Sequence, residues 1–211
     1  VIPPHNNPSP PSMVEPMNVA IGPDGVPRCA WGVSTPDYVS YHDDEWGYPV
    51  ADDQRLFEKL CLESFQSGLS WITVLRKRDA FRRAFHEFDP TAVAAMGPED
   101  VERLLGDASI IRHRGKIEAA ITNAKSTLAL QRSQSLASFV WAYEPAVSSP
   151  LAATTPESVA LAKALKDEGF VWLGPTTVYA FMQAMGLVND HMEGCAFRDR
   201  ALETRASFRK P

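Results

Sequence analysis

One segment decides the predicted fold, Gly169-Phe-Val-Trp-Leu-Gly174, which lies between two helical patterns and is followed directly by Pro175-Thr176-Thr177. Glycines at both ends allow a tight turn, and proline favours the first position of the helix after it. Backbone N–H groups in such a turn, with the N-terminal dipole of the next helix, can bind a phosphate oxygen without reading bases. An ordinary corner between two helices has the same local sequence, so both interpretations stay open at this point.

Helical periodicity surrounds this segment and predicts an all-α domain. One helix begins at Thr155-Pro156 and ends at Gly169, because glycine readily takes the left-handed conformation found after a helix. Another begins at Asp52 or Asp53 and carries an apolar face until Gly68 interrupts it. Further helices are predicted from Asp89-Pro90, from Gly97-Pro98, over Ile110 to Leu128, and around Phe139-Val-Trp141 after a polar loop at Ser133 to Ser138. Strand candidates are scarce.

The composition indicates an ordinary globular protein. With 211 residues, of which 45% are hydrophobic and 22% charged, the chain can form one domain or two small lobes. No apolar run approaches the roughly 20 residues of a membrane span and no secretory signal is visible, so we expect no membrane partner. Three cysteines argue against a disulfide framework and for the reducing cytoplasm. Residues 1–27 are rich in proline and predict an extended tail before a fold that begins near Cys29.

The charge pattern neither requires nor excludes DNA. A net charge of −5 gives no general attraction to nucleic acid, so binding would depend on local basic patches. Two such patches are present, Arg76-Lys77-Arg78 with Arg82-Arg83 and Arg112-His113-Arg114 with Lys116. A solvated helix face is the simpler explanation of either patch taken alone.

Two cysteine–histidine pairs near opposite ends of the fold suggest a shared metal site. His191 and Cys195 are spaced by one helical turn and can reach the same ion, while Cys29 and His42 would complete a tetrahedral set. Two sulfur and two nitrogen ligands form a closed zinc site, which holds structure and leaves no position for a catalytic water. The interval between Cys29 and His42 is longer than in common zinc motifs, so spacing alone also allows four unrelated residues.

Five blocks of sequence carry a resemblance to one protein family. They are Cys29-Ala-Trp31, Tyr41-His-Asp-Asp-Glu-Trp-Gly47, Leu62-Glu-Ser-Phe-Gln-Ser-Gly-Leu-Ser-Trp-Ile72, Ile110-Ile-Arg-His-Arg-Gly-Lys-Ile117 and Gly186-Leu-Val-Asn-Asp-His191. In this order they resemble DNA-3-methyladenine glycosylase I, a family of helix–hairpin–helix DNA glycosylases. The resemblance extends from about Cys29 to Cys195. It implies a two-lobed, all-helical fold in which one structural zinc ion joins the chain ends.

The resemblance also implies which residues hold the metal and the DNA. It assigns the zinc ligands to Cys29, His42, His191 and Cys195. It makes Gly169, Gly174 and Thr176 part of a DNA-anchoring hairpin within about residues 156–186. The glycosylase domain would then comprise residues 28–198, between the N-terminal extension and a C-terminal tail at 199–211.

The implied activity is the hydrolytic removal of N3-methyladenine from double-stranded DNA. Glu63 is the expected catalytic and recognition residue, because a carboxylate can accept a hydrogen bond from adenine and complement the cationic alkylated base. Tyr41, Trp46 and Trp71 are expected to stack on the flipped base and enclose it, whereas Trp31 is expected to be structural. No lysine stands out as a Schiff-base nucleophile, so we expect a monofunctional enzyme that leaves the strand intact. We also expect it to be a monomer.

Two residues and two rival functions remain open. Leu69 is either a wedge that fills the gap left by the flipped nucleotide or a core residue. Asp190 follows the hairpin as the catalytic Asp of many related glycosylases does, but its interval is shorter and it adjoins His191, so we do not assign it as the catalytic base. The rivals are a zinc-stabilised DNA-binding module without catalysis and a zinc hydrolase. A pocket around Glu63 argues against the first, and four protein ligands on the metal would exclude the second.

Overall fold

The computed structural model describes residues 19–146 and 152–211, and these residues are mostly helical, as predicted. The helices are α1 (Pro36–Asp44), α2 (Asp53–Gln66), α3 (Trp71–Leu75), α4 (Arg78–Ala84), α5 (Pro90–Ala94), α6 (Pro98–Gly106), α7 (Arg114–Leu130), α8 (Leu136–Trp141), α9 (Pro156–Asp167), α10 (Pro175–Ala184) and α11 (Ala196–Ser207). Within the described ranges, none of them is both long enough and apolar enough to cross a membrane.

A two-stranded antiparallel hairpin precedes the helices. Strand β1 (Val19–Ile21) pairs with β2 (Pro27–Cys29), and Val19 lies opposite Cys29. The predicted extended tail is therefore wrong from residue 19 onward, and its earlier part lies outside the described residues. Strands this short have no readable alternation. Tertiary contacts stabilise them instead, since the buried guanidinium of Arg28 bonds the carboxylates of both Asp24 and Asp43.

Helix α2 lies at the centre of the fold and packs against α3, α7, α8 and α10. The prediction that Asp52 or Asp53 caps it is confirmed, because the Asp52 carboxylate accepts a hydrogen bond from the Arg55 N–H group. The Asp53 carboxylate has a second use: it accepts hydrogen bonds from the backbone N–H groups of Leu136 and Ala137 at the start of α8. One side chain thus joins the beginnings of two helices.

Two predicted helix boundaries are wrong by a few residues. Helix α7 begins at Arg114 and not at Ile110, because the His113 side chain accepts a hydrogen bond from the Lys116 N–H group and caps the helix there. Ile110 is buried but precedes the helix. The polar loop predicted to reach Ser138 ends earlier, since Ser135 caps α8. The starts predicted at Asp89-Pro90 and Gly97-Pro98 are confirmed.

The helices on either side of the glycine-bounded segment pack against each other. Thr155 caps α9 through a hydrogen bond from the Ser158 N–H group, as its position before proline predicts. Gly169 follows the helix with φ of +87°, a conformation that favours glycine. Pro175 is the first residue of α10. Two packed helices therefore flank the glycine-bounded segment, as the sequence predicts.

The last helix crosses a predicted boundary. A C-terminal tail was expected from residue 199, but α11 runs from Ala196 to Ser207 and buries Ala201 completely. The predicted metal ligand Cys195 is the N-cap residue of α11, directly before its first residue.

Candidate functional site

Aromatic side chains line a cavity of about 330 Å³ at the junction of α1, α2, α3 and α10. Tyr41, Trp46, Trp71 and Glu63, all expected around the pocket, are brought together here. Trp31, expected to be only structural, also lines the cavity and packs edge-on against Trp46, with ring centroids 5.0 Å apart. A cavity of this size, with aromatic walls and one carboxylate, can hold a flat heteroaromatic ring.

A buried ion pair lies behind the cavity. Glu63 and Lys59 are consecutive on one face of α2, and each is only 5% exposed. The Lys59 Nζ atom lies 2.8 Å from Glu63 Oε1 and donates a hydrogen bond of 2.8 Å to the Tyr41 hydroxyl oxygen. It also lies 3.5 Å from the ring centroid of Trp71, as a cation–π contact. Lys59 therefore contacts three residues of the predicted pocket.

Burial changes the protonation chemistry of this cluster. It lowers the pKa of Lys59, although the Glu63 carboxylate acts in the opposite direction. Burial also raises the pKa of Tyr41 well above its ordinary value, with a further contribution from Glu63, so the hydroxyl keeps its hydrogen. Sequence reasoning missed Lys59. The available signal was a lysine one turn before Glu63, in a stretch of α2 that also carries three leucines and two phenylalanines.

The first predicted basic patch is largely occupied by ion pairs. Arg78 donates hydrogen bonds of 2.6 and 2.8 Å to the two carboxylate oxygens of Glu45, and Arg82 donates one of 2.8 Å to Glu58. Burial acts to raise the pKa of Glu45, but the hydrogen bonds from Arg78 outweigh it and the pKa is lowered. These arginines stabilise the wall behind the cavity and are not free for DNA.

An exposed leucine follows α2. Leu69 has 42% of its surface accessible, so its predicted alternative as a core residue is wrong. It follows Gly68, whose φ of +81° turns the chain sharply. Lys116, counted in the second basic patch, is in fact buried and donates hydrogen bonds to the carbonyl oxygens of Phe65 (2.9 Å) and Ser67 (2.5 Å). It thus fixes the end of α2 from which the Leu69 loop departs.

The segment between α9 and α10 is held by one buried amide. Asn123 of α7 accepts a hydrogen bond of 2.8 Å from the Val171 N–H group and donates one of 3.1 Å to the Val171 carbonyl. Trp172 is 45% exposed, has φ of +61°, and packs edge-on against His113. Gly174 and Thr176, predicted to contact DNA, are exposed at the start of α10. No local sequence pattern indicates this role of Asn123.

Asp190 supports the cavity from behind. Its Oδ2 atom accepts hydrogen bonds of 2.6 Å from the Tyr179 hydroxyl and 2.8 Å from the Gln183 amide. Gln183 lines the cavity, whereas Asp190 itself is buried and is not among the lining residues. Asp190 thus holds the side chain of Gln183 at the cavity wall.

The four predicted metal ligands converge at a second buried site. All candidate ligand atoms of Cys29, His42, His191 and Cys195 lie within 4.8 Å of one another. Cys29 Sγ is 3.8 Å from His191 Nδ1, and Cys195 Sγ is 3.6 Å from both His42 Nε2 and His191 Nδ1. The prediction of one helical turn between His191 and Cys195 is wrong, since they lie in a turn before α11, but the turn still brings both side chains together.

The distances fit a tetrahedral ion. Metal–sulfur bonds of about 2.3 Å and metal–nitrogen bonds of about 2.05 Å at tetrahedral angles place sulfur and nitrogen about 3.6 Å apart. The second nitrogen of each imidazole is also engaged, as is usual for metal-bound histidines. His42 Nδ1 lies 2.8 Å from Asp43 Oδ1, and His191 Nε2 lies 3.1 Å from the Trp46 carbonyl oxygen. These contacts orient His42 Nε2 and His191 Nδ1 toward the sulfurs.

Comparison with known proteins gives a consistent result. The sequence pattern of the methyladenine glycosylase family matches residues 31–199. The chain is 52% identical over 177 residues to DNA-3-methyladenine glycosylase 1 of Escherichia coli, covering 80% of this chain and 95% of that protein. It is similar to a crystal structure of 3-methyladenine DNA glycosylase I, with a TM-score of 0.77, 53% identity, and coverage of 80% and 98%. A Staphylococcus aureus structure described as the basis of 3-methyladenine recognition gives a TM-score of 0.76, 37% identity, and coverage of 81% and 96%.

Proposed function

This chain belongs to the methyladenine glycosylase family, and from that premise we propose that it removes N3-methyladenine from alkylated double-stranded DNA. As a DNA glycosylase it is an N-glycosyl hydrolase. The main support for this substrate is the carboxylate of Glu63, which is buried in a cavity with aromatic walls. A rival role as a DNA-binding module without catalysis does not account for such a cavity.

The substrate explains why the cavity combines rings with a carboxylate. Methylation at N3 gives adenine a formal positive charge, which weakens the glycosidic bond and makes the base a good leaving group. Trp46 and Trp71 can stack on the electron-poor ring, and stacking is worth roughly 1–3 kcal/mol per base. Glu63 can accept a hydrogen bond from the base and complement its charge. Extrusion of the nucleotide requires only a few kcal/mol, and less where pairing is damaged.

The reaction needs no covalent enzyme intermediate. The C1′–N9 bond breaks with its electron pair passing to the base, which leaves neutral, and water adds to the oxocarbenium-like sugar with loss of a proton. Lys59 contacts three residues that line the cavity, but its ammonium is engaged by Glu63 and Tyr41. That engagement supports a monofunctional enzyme that produces an abasic site and does not cut the strand.

The exposed segment between α9 and α10 is the proposed DNA anchor. In a helix–hairpin–helix fold, the turn from Gly169 to Gly174 and the N-terminus of α10 at Thr176 would bind backbone phosphates. The exposed Leu69 is the proposed wedge that fills the gap left by the flipped nucleotide. Both roles suit Leu69, Gly174 and Thr176, which are exposed.

The Cys/His cluster is proposed to bind one structural zinc ion. Its four protein ligands would leave no open position, which argues against a zinc hydrolase. When bound, the ion supplies cross-linking of the fold and no chemistry at the glycosidic bond. We further propose that the protein acts as a monomer in the bacterial cytoplasm, in line with its relationship to bacterial DNA repair enzymes.

The proposed function is tested by a base-release assay. Duplex DNA treated with a methylating agent is incubated with the protein, and the released bases are identified by chromatography. We expect free 3-methyladenine and an intact strand until alkali cleaves the abasic site. Glu63→Gln preserves the shape of the side chain, and we expect it to reduce release sharply. Because it leaves the buried Lys59 ammonium without its carboxylate partner, the thermal unfolding temperature should also fall, so release is compared at a temperature at which circular dichroism shows both proteins folded. If the wild-type protein binds methylated DNA but releases no base, the non-catalytic module becomes the better description.

A further inference from the structure

Lys59 occupies a position for which the proposed chemistry assigns no role. Its ammonium is buried and contacts Glu63 Oε1, the Tyr41 hydroxyl oxygen and the face of Trp71. Buried lysines are rare, because transfer of the charge out of water is unfavourable unless it is paired and hydrogen-bonded. A lysine kept in this environment, in contact with three residues around the cavity, points to a functional reason for its charge.

The first consequence concerns Glu63. Lys59 Nζ lies 2.8 Å from Glu63 Oε1, so the ammonium holds the Glu63 side chain in one position, in which its carboxylate accepts hydrogen bonds. Around this cluster lie the Tyr38 hydroxyl of α1, the uncharged Gln183 of α10, Arg55 of α2, and the two ion pairs Glu45–Arg78 and Glu58–Arg82. Lys59 is the cation in direct contact with Glu63, while the Arg78 charge is already paired with Glu45.

The second consequence concerns Tyr41. Its oxygen accepts a hydrogen bond from Lys59, so its hydroxyl hydrogen is directed away from the ammonium and remains available as a donor. Lys59 thus holds a hydrogen-bond acceptor, the Glu63 carboxylate, beside a hydrogen-bond donor, the Tyr41 hydroxyl. Adenine carries a complementary pair on one edge, with the N6 amino donor next to the N7 acceptor. Guanine presents two acceptors, O6 and N7, at the same places, so O6 would meet a carboxylate.

We propose that Lys59 is a positioning residue that fixes the donor–acceptor polarity of the pocket and thereby selects alkylated adenine over alkylated guanine. The proposal rests on the proposed function, since it concerns the base accepted at the same site. Without Lys59, no ammonium holds Glu63 Oε1 and the Tyr41 hydroxyl oxygen in place. The Tyr41 hydroxyl can then turn to donate its hydrogen to Glu63, and the two groups no longer hold the arrangement that excludes O6. Selection between the purines would then weaken while the aromatic walls still stack on either base.

The test compares two bases released from the same DNA. A methylated duplex containing both 3-methyladenine and 3-methylguanine is incubated with wild type, Lys59→Met, Glu63→Gln and the double variant. Methionine matches the length of lysine without its charge. Lys125→Met, at an exposed position of α7, is the matched control and should behave as wild type. Lys59→Gln gives the same comparison if Lys59→Met fails to fold.

The expected result has two parts. Loss of a charge-assisted hydrogen bond should slow 3-methyladenine release by about 10- to 100-fold, and the ratio of 3-methylguanine to 3-methyladenine released should rise at least about fivefold. Because Lys59 acts through Glu63, the double variant should match Glu63→Gln within about twofold.

Two results would overturn the proposal. One is an unchanged base ratio in a folded Lys59 variant, and the other is a Lys59 effect that multiplies with that of Glu63→Gln. Failure of the wild-type protein to release either base would instead contradict the proposed function. A Lys59 variant that is destabilised but keeps the wild-type base ratio shows a structural lysine only.

Discussion

The hydrogen bonds between Asn123 and Val171 allow a direct test of the DNA anchor. Asn123→Ala removes both bonds, of 2.8 and 3.1 Å, from a side chain that is fully buried. At about 1 kcal/mol for each bond, with a small cavity in addition, the free energy of unfolding should fall by about 2–3 kcal/mol. For a protein of this size that lowers Tm by about 5–10 °C.

The assay separates the anchor from the pocket. Affinity for a duplex with an abasic site should fall about tenfold. Without Asn123, the segment between α9 and α10 is no longer held in one conformation, so its N–H groups are not fixed in position to bind phosphate. Affinity for free 3-methyladenine should stay within about twofold, since the cavity is lined by other residues. Thr127→Val is the control. It removes one hydrogen bond in α7, to the Asn123 carbonyl, without touching the hairpin, and it should leave DNA affinity unchanged.

The reasoning is refuted if Asn123→Ala loses stability as calculated and yet binds DNA like the wild type. The segment between α9 and α10 would then be an ordinary corner between helices. Equal losses of DNA affinity and free-base affinity would also refute it, because the substitution would then have disturbed the cavity as well as the segment between α9 and α10.

Three further outcomes are expected. Cys29→Ser should reduce the zinc content, measured by elemental analysis, from one ion per chain to a small fraction. It should lower Tm and leave the affinity for free 3-methyladenine nearly unchanged. Full zinc content in this variant would show that the ligand assignment is wrong. The pKa of Glu45 is lowered in the folded state, so the Glu45–Arg78 pair stabilises fully above the ordinary value of 4.5, and this contribution disappears as the pH falls through the folded-state pKa. The stability difference between wild type and Glu45→Gln, from urea titrations, should therefore shrink in acid, and a constant difference would contradict this. Leu69→Ala should change stability by less than about 0.5 kcal/mol but slow excision from duplex DNA, and equal rates would remove the wedge.

Local sequence signals predicted much of the helical framework. Caps such as Asp52, Asp89 and Thr155 depend on residues within one turn, and each begins a helix as expected. The β1–β2 hairpin could not be predicted in this way, because three-residue strands depend on contacts with α1 that local spacing does not reveal. The start of α7 was missed because the apolar stripe continues to Ile110, whereas capping by His113 decides the boundary.

The pocket also contains residues whose roles local sequence could not reveal. Family motifs indicated Tyr41, Glu63 and Trp71, and the structure brings them together. Lys59 remained unnoticed because a lysine four residues before a glutamate normally indicates an exposed ion pair on a helix surface. Only the three-dimensional packing of α2 shows that both charges are buried. Asn123 was missed for a similar reason, since its partner is a backbone 48 residues away.

The wide spacing of the Cys/His cluster also has a consequence during synthesis. Cys29 and His191 are 162 positions apart, and His42 and Cys195 are 153 apart. A ribosome therefore exposes Cys29 and His42 long before the other two ligands leave the exit tunnel. Any ion held by all four can bind only after nearly the whole fold has emerged, so a chain interrupted before Cys195 lacks the complete site. Metal retention would then distinguish finished molecules from truncated ones.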